Sequence, residues 1–114
     1  MSDTKYVTRA GNDGTVSISE EVIATIAQEA LSRVDGAKPV GSTKKNIRGV
    51  KVKVVGEKVT IDAHIQVTYG QSVIDSAKLA QKEIAESVSS MTGLEIEAVN
   101  ITVNGIAPNV STAQ

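Results

Sequence analysis

His64 is the single histidine of the chain, and Asp62 stands two residues before it. On a strand, residues two apart share a face. A carboxylate and an imidazole would then stand side by side, the raw material of a general base or of half a metal site. Either chemistry needs more: a nucleophile or further ligands, an orienting group and a pocket that keeps water out. None of these is legible around the pair. Serines are plentiful, but none lies in a nucleophile elbow, and Ser19 and Ser72 stand where helix N-caps are wanted. Gly41-Ser-Thr-Lys44 lacks the preceding glycine spacing of a phosphate loop. With no cysteine there are neither disulfides nor thiolate metal sites. The residues therefore predict no catalytic group, no metal and no cofactor, and His64 reads as a surface residue.

Charge is the second feature able to do chemistry. Between Gly36 and Lys58 stand Lys38, Lys44, Lys45, Arg48, Lys51, Lys53 and Lys58 against Glu57 alone, a local balance of +6 that leaves −7 on the rest of a chain of net charge −1. Such a block meets phosphate or anionic lipid, or is a solvated loop and strand face. Lys44, Lys45, Arg48, Lys51 and Lys53 are the candidate interaction residues. Nucleic acid is the lesser reading: no aromatic flanks the loop for base stacking, and neither an aromatic RNA-binding strand motif nor a Gly-x-x-Gly clamp occurs. The segregation of charge also suits head-to-tail contacts between copies of the chain.

These residues need elements to position them. In Val59–Gly70, Val59, Ile61, Ala63, Ile65, Val67 and Tyr69 alternate with Thr60, Asp62, His64, Gln66 and Thr68. That period predicts a strand with one buried face and one polar face. Before it, Val50, Val52 and Val54 alternate with Lys51 and Lys53, and Gly56-Glu57 makes the turn of an antiparallel hairpin. Ser19 caps a first helix over about 20–34, with Glu20 and Glu21 in its first turn. Its stripe is Ile23, Ile26, Ala27, Ala30 and Val34, with Leu31 at the margin and Gly36 placed to end it. Ser72 caps a second helix whose predicted buried stripe is Val73, Ala77, Ala80, Ile84, Val88 and Met91, with Ile74 and Ala85 alongside, stopped by Gly93 with Leu94 following as in a Schellman ending. Leu79 falls nearly opposite that stripe and joins the candidate contact residues. Val99, Ile101 and Val103 predict a last strand, parallel to the central one through a right-handed crossover.

The expected architecture is α+β: a (β)αββαβ two-layer sandwich with a small mixed sheet and two helices on one face. Thr15–Ile18 is read first as an edge strand that joins that sheet, with a three-stranded sheet without it as the alternative, and Ala37–Gly49 is expected to be an exposed connector. At 114 residues the chain is one domain. The expected division is a flexible segment over 1–12, the domain over 13–106 and a flexible tail over 107–114. The apolar runs are too short to span a bilayer and the N-terminus has no hydrophobic signal core, so the expectation is a cytoplasmic protein without direct membrane insertion.

Gly14-Thr-Val-Ser-Ile-Ser before an apolar helix, Val34-Asp-Gly36, Gly49-Val-Lys-Val, Val67-Thr-Tyr-Gly70, Met91-Thr-Gly-Leu94 and Val99-Asn-Ile-Thr-Val103 follow one another in this order. Together they resemble the alkaline shock protein family of envelope stress response proteins, found mainly in Gram-positive bacteria, over about residues 14–106. The resemblance implies a non-enzymatic cytosolic protein that acts as a scaffold through self-association. It also implies a membrane-anchored partner of the same family that places it close to the membrane. Some members are linked to fatty-acid metabolism, so a protein-binding regulator of lipid metabolism stands as an alternative beside the nucleic-acid module. The family supplies no established catalytic residues to carry over.

Overall fold

The computed structural model describes residues 6–34, 36–39 and 49–108. Its centre is the alternating stretch. Strand β5, Lys58–Thr68, buries Val59, Ile61, Ala63, Ile65 and Val67 completely on one face. The turn at Gly56, with φ of 62°, brings back β4, Val50–Val55, antiparallel to β5, with Val50 opposite Ala63 and Lys51 opposite Asp62. The predicted crossover is present: β6, Glu95–Ala107, pairs parallel with β5 along the whole of its other edge. The strand is far longer than its apolar centre at 99–103, and two irregularities interrupt its register, one after Val59 and one after Ile65.

Two helices cover the apolar face. Helix α1, Glu20–Ser32, begins at Ser19, whose hydroxyl accepts from the Val22 amide at 3.2 Å. Helix α2, Val73–Thr92, begins at Ser72, which accepts from the Asp75 amide at 3.2 Å. It ends at Gly93 in the left-handed conformation (φ 72°), whose N–H reaches the Ser89 carbonyl at 2.8 Å. Leu94 is buried as expected, but its amide goes to the Thr92 hydroxyl, so the ending is the simpler left-handed cap and not a full Schellman motif. Helix α1 packs on β4 and on β3, Ala37–Pro39, while α2 packs on β6. The helices touch each other, and Arg33 donates from Nη2 to the Ser87 hydroxyl at 2.8 Å.

Four expectations need correction. The strand at Gly14–Ser19, here β2, forms, but it does not join the main sheet. It pairs with β1, Tyr6–Gly11, in a separate two-stranded sheet. Both edges of β5 are occupied, by β3 and β4 on one side and β6 on the other, so β2 has no place beside the central strand, and its ladder is made with β1 across the turn at Asn12-Asp13. The segment 1–12 therefore contains a strand from Tyr6, anchored by a fully buried Val7. Within the connector, Ala37–Pro39 is a third correction: it pairs antiparallel with Ile65–Val67, and Ala37 is buried. Proline is tolerated there because this is a sheet edge.

The fourth correction concerns helix ends and faces. Gly36 does not cap α1, which stops at Ser32 with Arg33 and Val34 turning back to Ala30 and Leu31. Gly36 instead meets two local demands. Its φ is +87°, and a Cβ on it would come within 3.0 Å of Gln71 Cγ and 3.2 Å of Ser76 Oγ at the start of α2. That proximity explains why Ser76, a small polar residue, is buried in α2. The centre of the predicted stripe holds, with Ala80, Ile84 and Val88 fully buried and Ala77 half-buried; its ends, Val73 and Met91, and the flanking Ile74 are exposed.

Two stability outcomes follow from the core packing and a third from the Gly36 contact. Ile61→Ala should lower the unfolding free energy by about 2–5 kcal/mol, because a fully buried chain is removed from the central strand. Val55→Ala, at a site 65% exposed, should change it by about 0.5 kcal/mol or less. Gly36→Ala should cost roughly 1–3 kcal/mol from its positive φ and its close neighbours. Urea titration followed by circular dichroism measures all three, and an unaffected Gly36→Ala midpoint would refute the close-approach account.

Candidate interaction surface

The helices leave the second face of the main sheet uncovered. Parity assigns its residues: Lys51 and Lys53 from β4, Thr60, Asp62, His64, Gln66 and Thr68 from β5, and Asn100 and Thr102 from β6. The register sets Lys51, Asp62 and Asn100 in one row across three strands, with Lys53 and Thr60 in the next. Lys51 and Lys53 are exposed, while Asp62 and His64 are half-buried.

The two groups that invite catalysis are each held by an amide and not by one another. Asn100 donates from Nδ2 to Asp62 Oδ1 at 2.8 Å. His64 Nδ1 lies 2.7 Å from Asn104 Oδ1. With the amide oxygen accepting, the ring proton sits on Nδ1. Asn104 reaches the imidazole at the second register irregularity, where Val103 pairs with Ile65 but Gly105 pairs with Gln66. That irregularity leaves Asn104 as the extra residue of the strand, free to turn toward the neighbouring row. Among the described residues no three His, Cys, Asp or Glu side chains gather as a metal site would require.

Of the sequence-derived contact residues, Lys51 and Lys53 stand together on this open face. Lys44, Lys45 and Arg48 lie outside the described residues. Leu79 is 43% exposed on α2, in the helical layer, so the fold does not bring it to the lysines. Asn100 and Asn104 are not among the sequence-derived candidates. Their signal is parity: polar residues at 100, 102 and 104 alternate with Val99, Ile101 and Val103, as Asp62 and His64 do on the neighbouring strand. Among the described residues, no helix is long and apolar enough to cross a membrane.

Known proteins share this arrangement. Solved structures of the MamM CTD superpose with a TM-score of 0.51 for the H264E variant, at 20% identity over 75% of this chain and 93% of that one. A zinc form of that variant gives 0.52 at 19% identity, over 82% of this chain and 91% of the other. At that identity the likeness is one of fold. In sequence the chain is similar to two Bacillus subtilis (strain 168) proteins that are themselves uncharacterized. YqhY is 36% identical over 104 residues, covering 82% of this chain and 77% of the relative. YloU is 34% identical over 108 residues, covering 82% and 88%. The model of a family described as having a cell envelope-related function matches residues 8–108, nearly the whole of the described chain from β1 through β6, and by that match the chain belongs to the alkaline shock protein 23 family.

Proposed function

We propose that this chain is a non-enzymatic scaffold of the cell-envelope stress response, cytoplasmic, which assembles with copies of itself and is held near the membrane by a membrane-anchored relative. The observation that carries the reading is the uncovered sheet face. A polar surface of three strands bears two exposed lysines, and its acid and imidazole are tied to asparagine amides. Catalysis would want those groups unencumbered and lining a water-excluding pocket. A flat, hydrogen-bonded polar face with fixed side chains suits recognition by another protein, where polar complementarity sets specificity.

The envelope-related description of the family supports the setting. Charge supports the association: the basic 36–58 stretch and the acidic remainder of the chain attract across copies. A protein that reaches the membrane in this way needs an anchor supplied by a partner, and a relative of the same fold is the natural candidate.

Light scattering over a concentration series, at low and at high salt, tests the self-association. Growth in mass with concentration that salt reverses is the expected result, because exposed charge pairs are screened beyond about 10 Å at 0.1 M salt. A strict monomer in every condition would remove self-association from the reading. The anchor is tested separately by affinity purification from detergent-solubilised membranes. A membrane-spanning relative should be retained by the unaltered chain and lost with Lys51→Glu/Lys53→Glu; retention unchanged by the double substitution would move the contact off the open face.

A further inference from the structure

A groove runs along the outer side of the molecule, between α2 and the start of β6. One part, about 650 Å³, is lined by Ala85, Glu86, Ser89, Leu94, Glu95 and Ile96, among others. A second part continues from it past the shared Ala85 and Ile96 to Lys78, Gln81 and Lys82. On α2, Lys78, Lys82, Ala85 and Ser89 follow the i, i+4, i+7, i+11 spacing of a single helical face, with Glu86 at its margin. That face is turned away from the core: all but half-buried Ala85 are exposed.

The charges of this groove are ordered along its length. Lys78 and Lys82 stand at the end toward the start of α2, where with Glu97 they leave a net positive charge, and Glu86 and Glu95 make the other end negative. The midpoint is small and apolar, Ala85 above Ile96. Among the described residues these five charged side chains make no ion pair with one another. A surface that is positive at one end, negative at the other and flat between is complementary to its own copy turned end for end. A two-fold axis is the operation that does this, and it makes an isologous contact.

We propose that this groove is the contact surface for a second copy of the chain, with the two α2 helices packed antiparallel about an axis near Ala85. Lys82 of one protomer then stands against Glu86 of its partner, and the reverse. Lys78 comes to the end of the partner's groove that holds Ser90 and Glu95. Ala85 and Ser89 let the backbones approach closely. Helix-on-helix packing is favoured over strand addition here because Gln81 Nε2 donates to the Val99 carbonyl at 3.0 Å, and the register irregularity at Glu97 disturbs the ladder beside it.

The proposal rests on the self-association described above and names its first contact. Its test is a charge swap between two variants. Lys82→Glu makes the centre of the stripe wholly acidic and Glu86→Lys makes it wholly basic, so each alone should repel its own copy. Sedimentation at low salt should find the unaltered chain as a dimer, twice its mass of 11.9 kDa. Each variant should dissociate at least about tenfold more readily, because like charges then face each other across the contact. An equimolar mixture should restore the dimer, since both acidic groups of the Lys82→Glu chain then meet both basic groups of the Glu86→Lys chain. Thermal melting of each variant checks that the fold is kept. If the unaltered chain associates and both variants associate equally well, the groove is not the contact, although self-association stands. If the variants are monomeric and their mixture is too, the antiparallel pairing is wrong. A monomeric unaltered chain would overturn both readings together.

Discussion

Every layer of this fold depends on β5 being a strand with both edges paired and one face sealed. Five residues on that face are completely buried, and they are the surface on which α1 and α2 rest. The cost of ordering such a strand is met by apolar burial on one side and ladder hydrogen bonds on both edges. A strand satisfied on both edges also leaves no place for a further one. That is why β2 finds no place beside β5; its ladder is with β1, and the pair contributes to the core through Val7 and Ile18 at its margin. It is also why β3 and β4, though separated in sequence, share one edge of β5 end to end.

What the sequence discloses about this architecture follows from how far each signal reaches. The period of two in Val59–Thr68 and the caps at Ser19, Ser72 and Gly93 are local, so they are readable residue by residue. Strand β1 has only Tyr6 and Val7 as large apolar residues, and its partner lies across a turn; nothing local distinguishes it from a polar terminus. Strand β3 carries a proline, a residue that argues against strands except at an edge, and only the tertiary arrangement makes it one. On α2, apolar type is an incomplete guide to burial. Ser76 is buried because Gly36 brings the chain close against it, a long-range fact that hydropathy does not contain.

The open face is legible in the same partial way. Alternation puts Lys51, Lys53, Asp62 and His64 on one side, and the register agrees for Lys51 and Asp62. Parity marks Asn100 and Asn104 as polar, but which side chain each one meets is not legible, because that depends on register irregularities in a parallel ladder whose pairing spans some forty residues. Those partners change the chemical meaning of the face. Without Asn100 and Asn104, an adjacent acid and imidazole would read as reactive; with them, each is held by its own amide.

A sheet with a long outer strand risks growing by addition of further strands. The first half of β6 is guarded against that outcome. Glu95 and Glu97 place charge there, the register is interrupted beside Glu97, and Gln81 takes up the Val99 carbonyl. Backbone pairing at this end is thereby made unfavourable, which favours the proposed association through side chains on the neighbouring helix. The difference matters for an assembling protein. Strand addition is sequence-tolerant and self-propagating, whereas exposed charge pairs over small residues are individually weak, screened by salt and specific in register. Contacts of the second kind suit the scaffold role proposed above. The devices that block the strand edge and the ordered charges beside it are two parts of one solution.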